Sequence, residues 1–394
     1  MNGPAIILLA FYIASAQQQG VSLNKLRGTL QNDILKEFIA QKEWIFPPKP
    51  SMKLVRDMLV YCTENMPLYN TISVSGYHIR EAGSTAIQEL AFTLADGFTY
   101  IEHGIKAGLD VDSFAPRISF FFNSHLDFFE EIAKYRAARR IWARTLKEKY
   151  KAKNERSMML RFHTQTAGCS LTAQQPEINI ARTSFQALAA VLGGTQSLHT
   201  NSMDETIALP SEKAAEIALR TQQLIAHETG VANVVDPLGG SWFIENLTDE
   251  IEEKTENYFS EINNLGGVVS AIEQGYQQRE ISKAASIYQH KIDNNKRIVV
   301  GVNEFINDQQ DIEIPILEID TRAEQNQIEK LNQLKNNRDP KEVERSLKEI
   351  KKACQNGDNL VPLIVNSAKA YCTLGEIVET MKAEFGEWQE SSFF

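Results

Sequence analysis

Short apolar or hydroxyl-rich runs alternate with long amphipathic segments between Gly20 and Thr200, and this alternation limits the folds open to the chain. Strands are predicted at residues 26–31, 71–77, 117–122, 158–165 and 194–200. Helical periodicity fills the gaps, as in residues 84–94 and 128–150. This rhythm is typical of β/α units in a parallel sheet or barrel. The fold class predicted from it is α/β.

One face of four predicted strands carries polar side chains. Period-two alternation groups these residues strand by strand: Ser73, Ser75 and Tyr77; Arg117 and Ser119; Arg161, His163 and Gln165; Thr195, Ser197 and His199. The interior of an ordinary (β/α)8 barrel is filled with Val, Ile and Leu, so a polar face indicates a bore that takes a ligand. The alternative is that these faces point outward at a polar helix layer.

Helical patterns dominate from about residue 211 onward. Thr248, followed by two acidic residues, is interpreted as a helix N-cap. Three regions are expected: 1–210 with the strands, 211–305 as helices packing on them, and 306–394 as a linker around residues 307–311 followed by a C-terminal helical segment.

Charge and hydropathy restrict the partners and the location. The net charge of −10 is spread along the chain, which argues against a nucleic-acid binder. The apolar run 5–14 is too short to span a bilayer and is interpreted as a core helix, so no membrane partner is expected and a cytoplasmic location is predicted.

Chemically reactive side chains gather where strands are predicted to end, as at His78, Gln165 and His199. Barrel enzymes keep their sites at the carboxyl ends of strands. Each histidine taken alone is more often a hydrogen-bonded structural residue than a catalyst. GxSxG, HExxH and GxxxxGK[ST] do not occur in the sequence, and no metal-ligand set is predicted. Spacing alone therefore names no reaction.

Five ordered runs resemble the methylmalonyl-CoA mutase family: GTLQNDILKEF (28–38), SVSGYHIREAGSTA (73–86), FAPRISFFF (114–122), RFHTQTAGCSLTAQ (161–174) and GGTQSLHTNSMDE (193–205). The resemblance implies a large, substrate-binding mutase subunit, N-terminally truncated. Its five strands would be the last five of a (β/α)8 TIM barrel, followed by a helical C-terminal extension. The pantetheine arm of coenzyme A would thread the barrel, and adenosylcobalamin would lie across its carboxyl-end mouth. The implied reaction is radical 1,2-migration of a thioester group.

Residue roles also follow from the resemblance. It implies catalytic roles for Tyr77, which would help drive cobalt–carbon homolysis, for His78, which would hydrogen-bond the thioester carbonyl, and for the substrate-side amide Gln165. It implies cofactor contacts at Glu81, His163 and Glu205, the two carboxylates holding the adenosyl ribose. Substrate or coenzyme A contacts are implied at Thr29, Gln31, Gln41, Ser73, Ser75, Arg117, Ser119, Arg156 and Ser197.

Gln41 departs from the methylmalonyl-specific pattern, which has an arginine there for the free carboxylate of the substrate. Burying a carboxylate without a cation costs about several kcal/mol, whereas an amide suits an uncharged acyl group. This favours isobutyryl-CoA or 2-hydroxyisobutyryl-CoA as substrate, and methylmalonyl-CoA stays the alternative. Lys42 could replace the missing cation only by pointing to the same side as Gln41.

The sequence has no DxHxxG motif, whose histidine ligates cobalt in single-chain relatives; Ile225 stands where the aspartate would precede His227. The resemblance therefore implies a separate small cobalamin-binding subunit and a dimer of large/small pairs. An open barrel would leave strand edges unpaired. A non-catalytic remnant or assembly partner is thus a second hypothesis.

Overall fold

All five predicted strands are confirmed in the computed structural model, which describes residues 1–307 and 320–390. Positions 308–311 of the predicted linker lie outside the described residues. The strands are β1 (Gly28–Thr29), β2 (Tyr69–Asn70), β3 (Ile72–Ser75), β4 (Ile118–Ser124), β5 (Phe162–Thr166) and β6 (Ser197–His199).

The strands pair in parallel and in chain order. β1 pairs with β2, and the other four form one sheet in the order β3-β4-β5-β6. The Ser73 amide donates to the Gln31 carbonyl at 2.9 Å and joins the two sheets. The described strands thus follow one another as an arc. The described residues show these two parallel sheets and not a closed barrel.

Helices connect the strands. They are α1 (Ala5–Gln18), α2 (Ile34–Lys36), α3 (Pro48–Asn65), α4 (Tyr77–Glu81), α5 (Ala86–Lys106), α6 (Val111–Phe114), α7 (Phe128–Glu148), α8 (Glu155–Met158) and α9 (Ile178–Leu192), with a π-helical turn at Glu37–Gln41. Thr85 and Gln88 form a capping box that begins α5, and Asp127 caps α7. The capping residues fix the points at which α5 and α7 begin.

The main core lies between one face of the sheet and helices α5 and α7. Phe120 and Phe122 project from that face of β4 and are fully buried. The Phe120 ring meets Trp142 of α7 edge-on at 4.9 Å between centroids, and Trp142 stacks on Phe98 of α5 at 5.4 Å. Because apolar side chains occupy every other position of β4, the alternate positions face the other side of the sheet.

Helices follow β6, as the sequence predicts. They are α10 (Glu212–Glu228), α11 (Trp242–Asn264), α12 (Val268–Glu273) and α13 (Tyr276–Asp293), then α14 (Arg322–Asn337), α15 (Pro340–Asn356), α16 (Val361–Lys369) and α17 (Leu374–Phe385). The predicted N-cap at Thr248 is wrong. Thr248 lies inside α11, and its hydroxyl donates to the Ile244 carbonyl at 2.7 Å, because the N-cap is Ser241 and the buried stripe of this helix already begins at Ile244.

The predicted core helix at residues 5–14 is confirmed as α1, and the C-terminal helices cover it. Ile7 and Ile13 of α1 are fully buried in a second core together with Ile364 of α16 and Ile377 of α17. The first and last described segments therefore fold against each other. The chain as described is a helix-rich α/β protein with parallel sheets. Among the described residues, no helix combines the length and the apolarity needed to cross a membrane.

Candidate functional site

The polar face predicted from the sequence exists and is aligned in rows across the sheet. Strand register places Ser75, Phe121, His163 and Ser197 side by side. The alternative, in which this face points at a helix layer, is wrong, because the packed helices cover the opposite face through residues such as Phe120. The polar row instead lines the uncovered side of the sheet.

Tyr77 and His78 lie at the carboxyl end of β3, but not on the strand. The strand ends at Ser75, and Tyr77 is the first residue of α4. The predicted strand 71–77 therefore extends two residues too far at its carboxyl end. The turn passes through Gly76, where a Cβ would lie 2.4 Å from the Thr93 hydroxyl oxygen. Only glycine fits this close approach, and it turns the chain into α4.

Tyr77 is held over the sheet by a ring and an amide. Its ring stacks on Phe121 with centroids 4.9 Å apart and planes 3° from parallel. The Gln165 side-chain amide donates to the Tyr77 hydroxyl oxygen at 2.9 Å and to the Asn201 side-chain oxygen at 2.9 Å. Burial, and then the nearby Glu81 carboxylate, raise the pKa of Tyr77 well above its ordinary value. The phenol is therefore neutral and positioned from two sides.

Glu81 is fixed by three donors, one on strand β4 and two in the turn after β5. Its carboxylate accepts from the Asn123 side-chain amide at 2.7 Å, from the Gly168 amide at 2.9 Å and from the Cys169 amide at 2.8 Å. Burial nevertheless raises the pKa of Glu81. A Cβ at Gly168 would lie 3.0 Å from the Glu81 carboxylate and 3.5 Å from the Tyr77 hydroxyl, so glycine keeps the backbone close to both.

His78 is a half-buried, neutral imidazole. Burial, followed by the positive charge of Lys36, lowers its pKa to about 3. Its Nδ1 lies 2.8 Å from the Ser75 hydroxyl oxygen, and its ring meets Phe121 edge-on at 5.8 Å. At pH 7 the ring can therefore take part in hydrogen bonds but carries no charge.

His163 and Ser197 repeat this pairing one strand further on. Nδ1 of His163 lies 2.7 Å from the Ser197 hydroxyl oxygen, and burial lowers the pKa of this histidine. His199 follows on β6, and burial lowers its pKa as well. Glu205, expected at the cofactor, is exposed in the turn after β6. Its charge also raises the pKa of Tyr77, although burial and the charge of Glu81 have larger effects. The two expected cofactor carboxylates thus both lie near enough to Tyr77 to raise its pKa.

Cations gather at the opposite, amino ends of the strands. Arg117 precedes β4, Arg161 precedes β5, and Arg156 lies on α8 just before it. Burial and then the charges of Arg156 and Arg117 lower the pKa of Arg161, so the three guanidinium groups share one neighbourhood. The seven residues of β4 separate this cluster from the Tyr77 end by roughly 20 Å. The uncovered face therefore has a cationic end and a hydrogen-bonding end.

The side-chain amide of Gln41 lies beside a buried charge. The buried ammonium of Lys36 donates a hydrogen bond to its side-chain oxygen and pairs with Glu37 at 3.3 Å. Lys42 instead pairs with Glu390 on the outside, which excludes it as the substitute cation. The left-handed backbone at Lys42 (φ 70°) ends the π-helical turn and directs that side chain away.

Four further residues are expected from the sequence to contact the substrate or coenzyme A. The Gln31 side chain accepts from the Asn2 amide at 3.0 Å, and the Thr29 hydroxyl accepts from the Asn70 amide at 3.0 Å on the exposed β1 edge. The half-buried Ser73 and Ser119 are paired across β3 and β4 on the uncovered face.

Three residues of the site were missed by the sequence analysis, namely Phe121, Asn123 and Asn201. Phe121 and Asn123 continue the alternation that begins at Ser119, so the parity of the strand was the signal for them. Asn201 follows the last strand and meets Gln165 only through tertiary packing. No local pattern marks it.

Comparison with known proteins identifies the family of the chain. The family model described as methylmalonyl-CoA mutase matches residues 1–387. The chain belongs to the methylmalonyl-CoA mutase family. It is 47% identical over 395 residues to the 2-hydroxyisobutanoyl-CoA mutase large subunit of Aquincola tertiaricarbonis, covering all of this chain and 70% of that protein.

Methylmalonyl-CoA mutases are similar to the chain at nearly the same level. The probable mitochondrial enzyme of Caenorhabditis elegans is 45% identical over 411 residues, covering all of this chain and 55% of that protein. The mitochondrial enzyme of Homo sapiens is 46% identical over 389 residues, covering 98% of this chain and 52% of that protein. The chain thus spans about half the length of these two relatives. Its relatives in the family are isomerases.

The residues present fit the adenosyl group of the cofactor that the family implies. A ribose offers two hydroxyl donors, and Glu81 and Glu205 are carboxylate acceptors whose charges both act on Tyr77.

Proposed function

We propose that this chain is the substrate-binding part of an adenosylcobalamin-dependent acyl-CoA mutase. One observation carries the proposal: a single uncovered sheet face has an arginine cluster at its amino end and the Tyr77–Gln165–Asn201 network at its carboxyl end. A long ligand with a phosphate-bearing end and a neutral reacting end matches this polarity, and acyl-CoA is such a ligand.

Arg117 and Arg156 would bind the phosphates of coenzyme A, because guanidinium groups bind phosphate oxygens through paired, charge-assisted hydrogen bonds. Ser119 and Ser197, which line the same face, would contact the pantetheine arm. Neither arginine forms an ion pair among the described residues, so both guanidinium groups remain available for an anion.

His78 would donate a hydrogen bond to the thioester carbonyl and so steady the migrating group. Its pKa of about 3 keeps it neutral, which suits a positioning donor better than an acid–base role in turnover. Gln165 and Tyr77 would complete the wall of the reaction chamber and exclude water from it. These are placement and polarisation roles.

Glu81 and Glu205 would hold the ribose of adenosylcobalamin, with His163 nearby. When bound, this cofactor supplies the radical that starts a 1,2-migration of the thioester group. We propose that the cobalt ligand comes from a separate small subunit and that the assembly is a dimer of large/small pairs in the cytoplasm.

An uncharged acyl group, of the isobutyryl-CoA to n-butyryl-CoA type, remains the favoured substrate. Lys36 is the one specific observation in favour of the alternative, methylmalonyl-CoA, because its ammonium contacts Gln41. That charge is already offset by Glu37 at 3.3 Å, and both side chains are completely buried. A substrate carboxylate would therefore compete with Glu37 for the same ammonium.

Reconstitution tests the proposal. The chain is combined with a cobalamin-binding small subunit and adenosylcobalamin, and conversion of isobutyryl-CoA, 2-hydroxyisobutyryl-CoA and methylmalonyl-CoA is followed by chromatography of the CoA esters. We expect isomerisation of an uncharged acyl-CoA, lost in His78→Ala. Binding of acyl-CoA without turnover of any of the three would favour a non-catalytic assembly partner instead.

A further inference from the structure

Ser75 is fully buried at the end of β3, and its hydroxyl group contacts a single side chain. Its oxygen lies 2.8 Å from Nδ1 of His78, and no other described residue is within hydrogen-bond distance of that hydroxyl. A buried hydroxyl proton needs an acceptor. Nδ1 of His78 is the acceptor that the fold provides.

The direction of this hydrogen bond determines where the imidazole carries its proton. A neutral imidazole has one protonated and one unprotonated nitrogen. If the Ser75 hydroxyl donates to Nδ1, then Nδ1 is unprotonated and Nε2 carries the proton. The reverse arrangement would leave the serine proton buried without a partner. Nε2 of His78 has no partner among the described residues, so its N–H is free to donate to a ligand.

The backbone of Ser75 is fixed independently of His78. Its amide donates to the buried carboxylate of Asp33 at 2.6 Å, and Asp33 also accepts from the Tyr100 hydroxyl at 2.6 Å. Tyr100 lies in the middle of α5, so the strand end is anchored to a helix of the main core. The serine hydroxyl is thereby held at the height of the imidazole ring.

We propose that Ser75 is a positioning residue that fixes His78 as the Nε2-protonated tautomer. The proposal rests on the proposed function in one respect, namely that the Nε2 proton would be donated to the thioester carbonyl. The tautomer itself is a property of the chain. Ser75, expected from the sequence to contact substrate, thus acts through His78.

The tautomer is measurable by long-range ¹H–¹⁵N correlation NMR of protein labelled with ¹⁵N-histidine, with His78→Gln identifying the His78 signals. In the wild type we expect an unprotonated-type shift at Nδ1 and a protonated-type shift at Nε2. In Ser75→Ala both shifts should move toward the averaged values of a tautomer mixture. Ser75→Thr retains the hydroxyl and should restore the wild-type shifts.

Ser197→Ala is the matched control, because Ser197 makes the same contact to Nδ1 of His163 at 2.7 Å. It should change the His163 signals and leave those of His78 in place. A proton on Nδ1 in the wild type, or unchanged shifts in a folded Ser75→Ala, would overturn the proposal. The expected tautomer without mutase turnover would instead count against the proposed function alone.

Discussion

The ammonium of Lys36 donates a hydrogen bond to the side-chain oxygen of Gln41, and both residues belong to the short helical segment that follows β1. A lysine donor can only meet the oxygen of an amide, so the Gln41 NH2 group is turned away from Lys36. Lys36 is also the charge that, after burial, most lowers the pKa of His78. Gln41, Lys36 and His78 therefore form one neighbourhood.

Gln41→Arg should shift substrate preference toward a carboxylated acyl-CoA. A guanidinium provides charge-assisted hydrogen bonds worth about 1.5–3 kcal/mol, so the ratio of kcat/KM for methylmalonyl-CoA over isobutyryl-CoA should rise about tenfold or more in the reconstituted enzyme. Lys42→Gln is the control and should leave the ratio unchanged, because Lys42 pairs with Glu390. An unaltered ratio in Gln41→Arg would place the selectivity elsewhere.

His78→Ala should lower kcat of the reconstituted mutase by about 10²–10³-fold, because the substrate carbonyl loses its hydrogen-bond donor. Circular dichroism should show an intact fold, since the imidazole makes only one hydrogen bond. His227→Ala removes an exposed histidine on α10 and should have wild-type kcat. Near-normal turnover of His78→Ala would remove the role assigned to this residue.

Lys134→Met should destabilise the fold. The Lys134 ammonium is fully buried and donates to Glu89 at 2.7 Å, to Glu131 and to the Asn123 carbonyl at 2.8 Å. Its loss leaves the buried Glu89 carboxylate without its ion-pair partner and leaves Glu131 with only Arg80, at 3.7 Å. Breaking a buried ion pair in this way costs about 3–5 kcal/mol in the free energy of unfolding measured with urea.

Lys348→Met is the control for this measurement. Lys348 forms an exposed ion pair with Glu344 at 2.6 Å, and removing such a pair changes the free energy of unfolding by about 0.5 kcal/mol or less. Equal effects of the two substitutions would mean that the buried lysine does not hold its carboxylates in solution.

Asp96→Asn should stabilise the fold increasingly as pH rises. Neither oxygen of the buried Asp96 carboxylate has a partner among the described residues, and burial, followed by the charge of Asp33, raises its pKa well above the ordinary value. The folded state thus binds this proton more tightly than the unfolded chain. The stabilising contribution is complete below pH about 3.8 and is lost as pH rises through the folded pKa.

Melting temperatures of Asp96→Asn and the wild type at pH 5 and pH 8 test this expectation. The difference between the two proteins isolates Asp96, because the histidines whose pKa values are lowered by burial titrate in both. We expect the difference in the free energy of unfolding between Asp96→Asn and the wild type to grow by about 1 kcal/mol or more from pH 5 to pH 8, which is the value of one pKa unit. A difference that is constant with pH would show that Asp96 does not titrate as inferred.

Much of the fold was predictable from local pattern. Apolar or hydroxyl-rich runs located five of the six described strands, and only the two-residue β2 was not predicted. Period-two alternation gave the polar face of four of them, since the direction of a side chain on a strand follows from its position alone. Strand ends were less certain. Tyr77 continues the alternation of β3 in sequence, but Gly76 turns the chain into α4 where Thr93 leaves no room for a Cβ.

The surroundings of Gln41 could not be predicted in the same way. Its neighbour Lys42 offered the obvious cation, but the left-handed backbone at Lys42 directs that side chain to Glu390. Lys36, five positions earlier, reaches Gln41 instead, because the intervening π-helical turn brings the two side chains to one side. Such a turn has no clear sequence signal.

The sequence by itself determined where the strands and helices form, which strand faces are polar and to which family the five motifs belong. Tertiary structure decided which polar groups meet. Gln165 contacts Tyr77, 88 positions away, and the C-terminal helices cover α1 at the other end of the chain. Periodicity is a local property of the backbone, whereas these contacts depend on how separate elements pack, and no stretch of sequence encodes them alone.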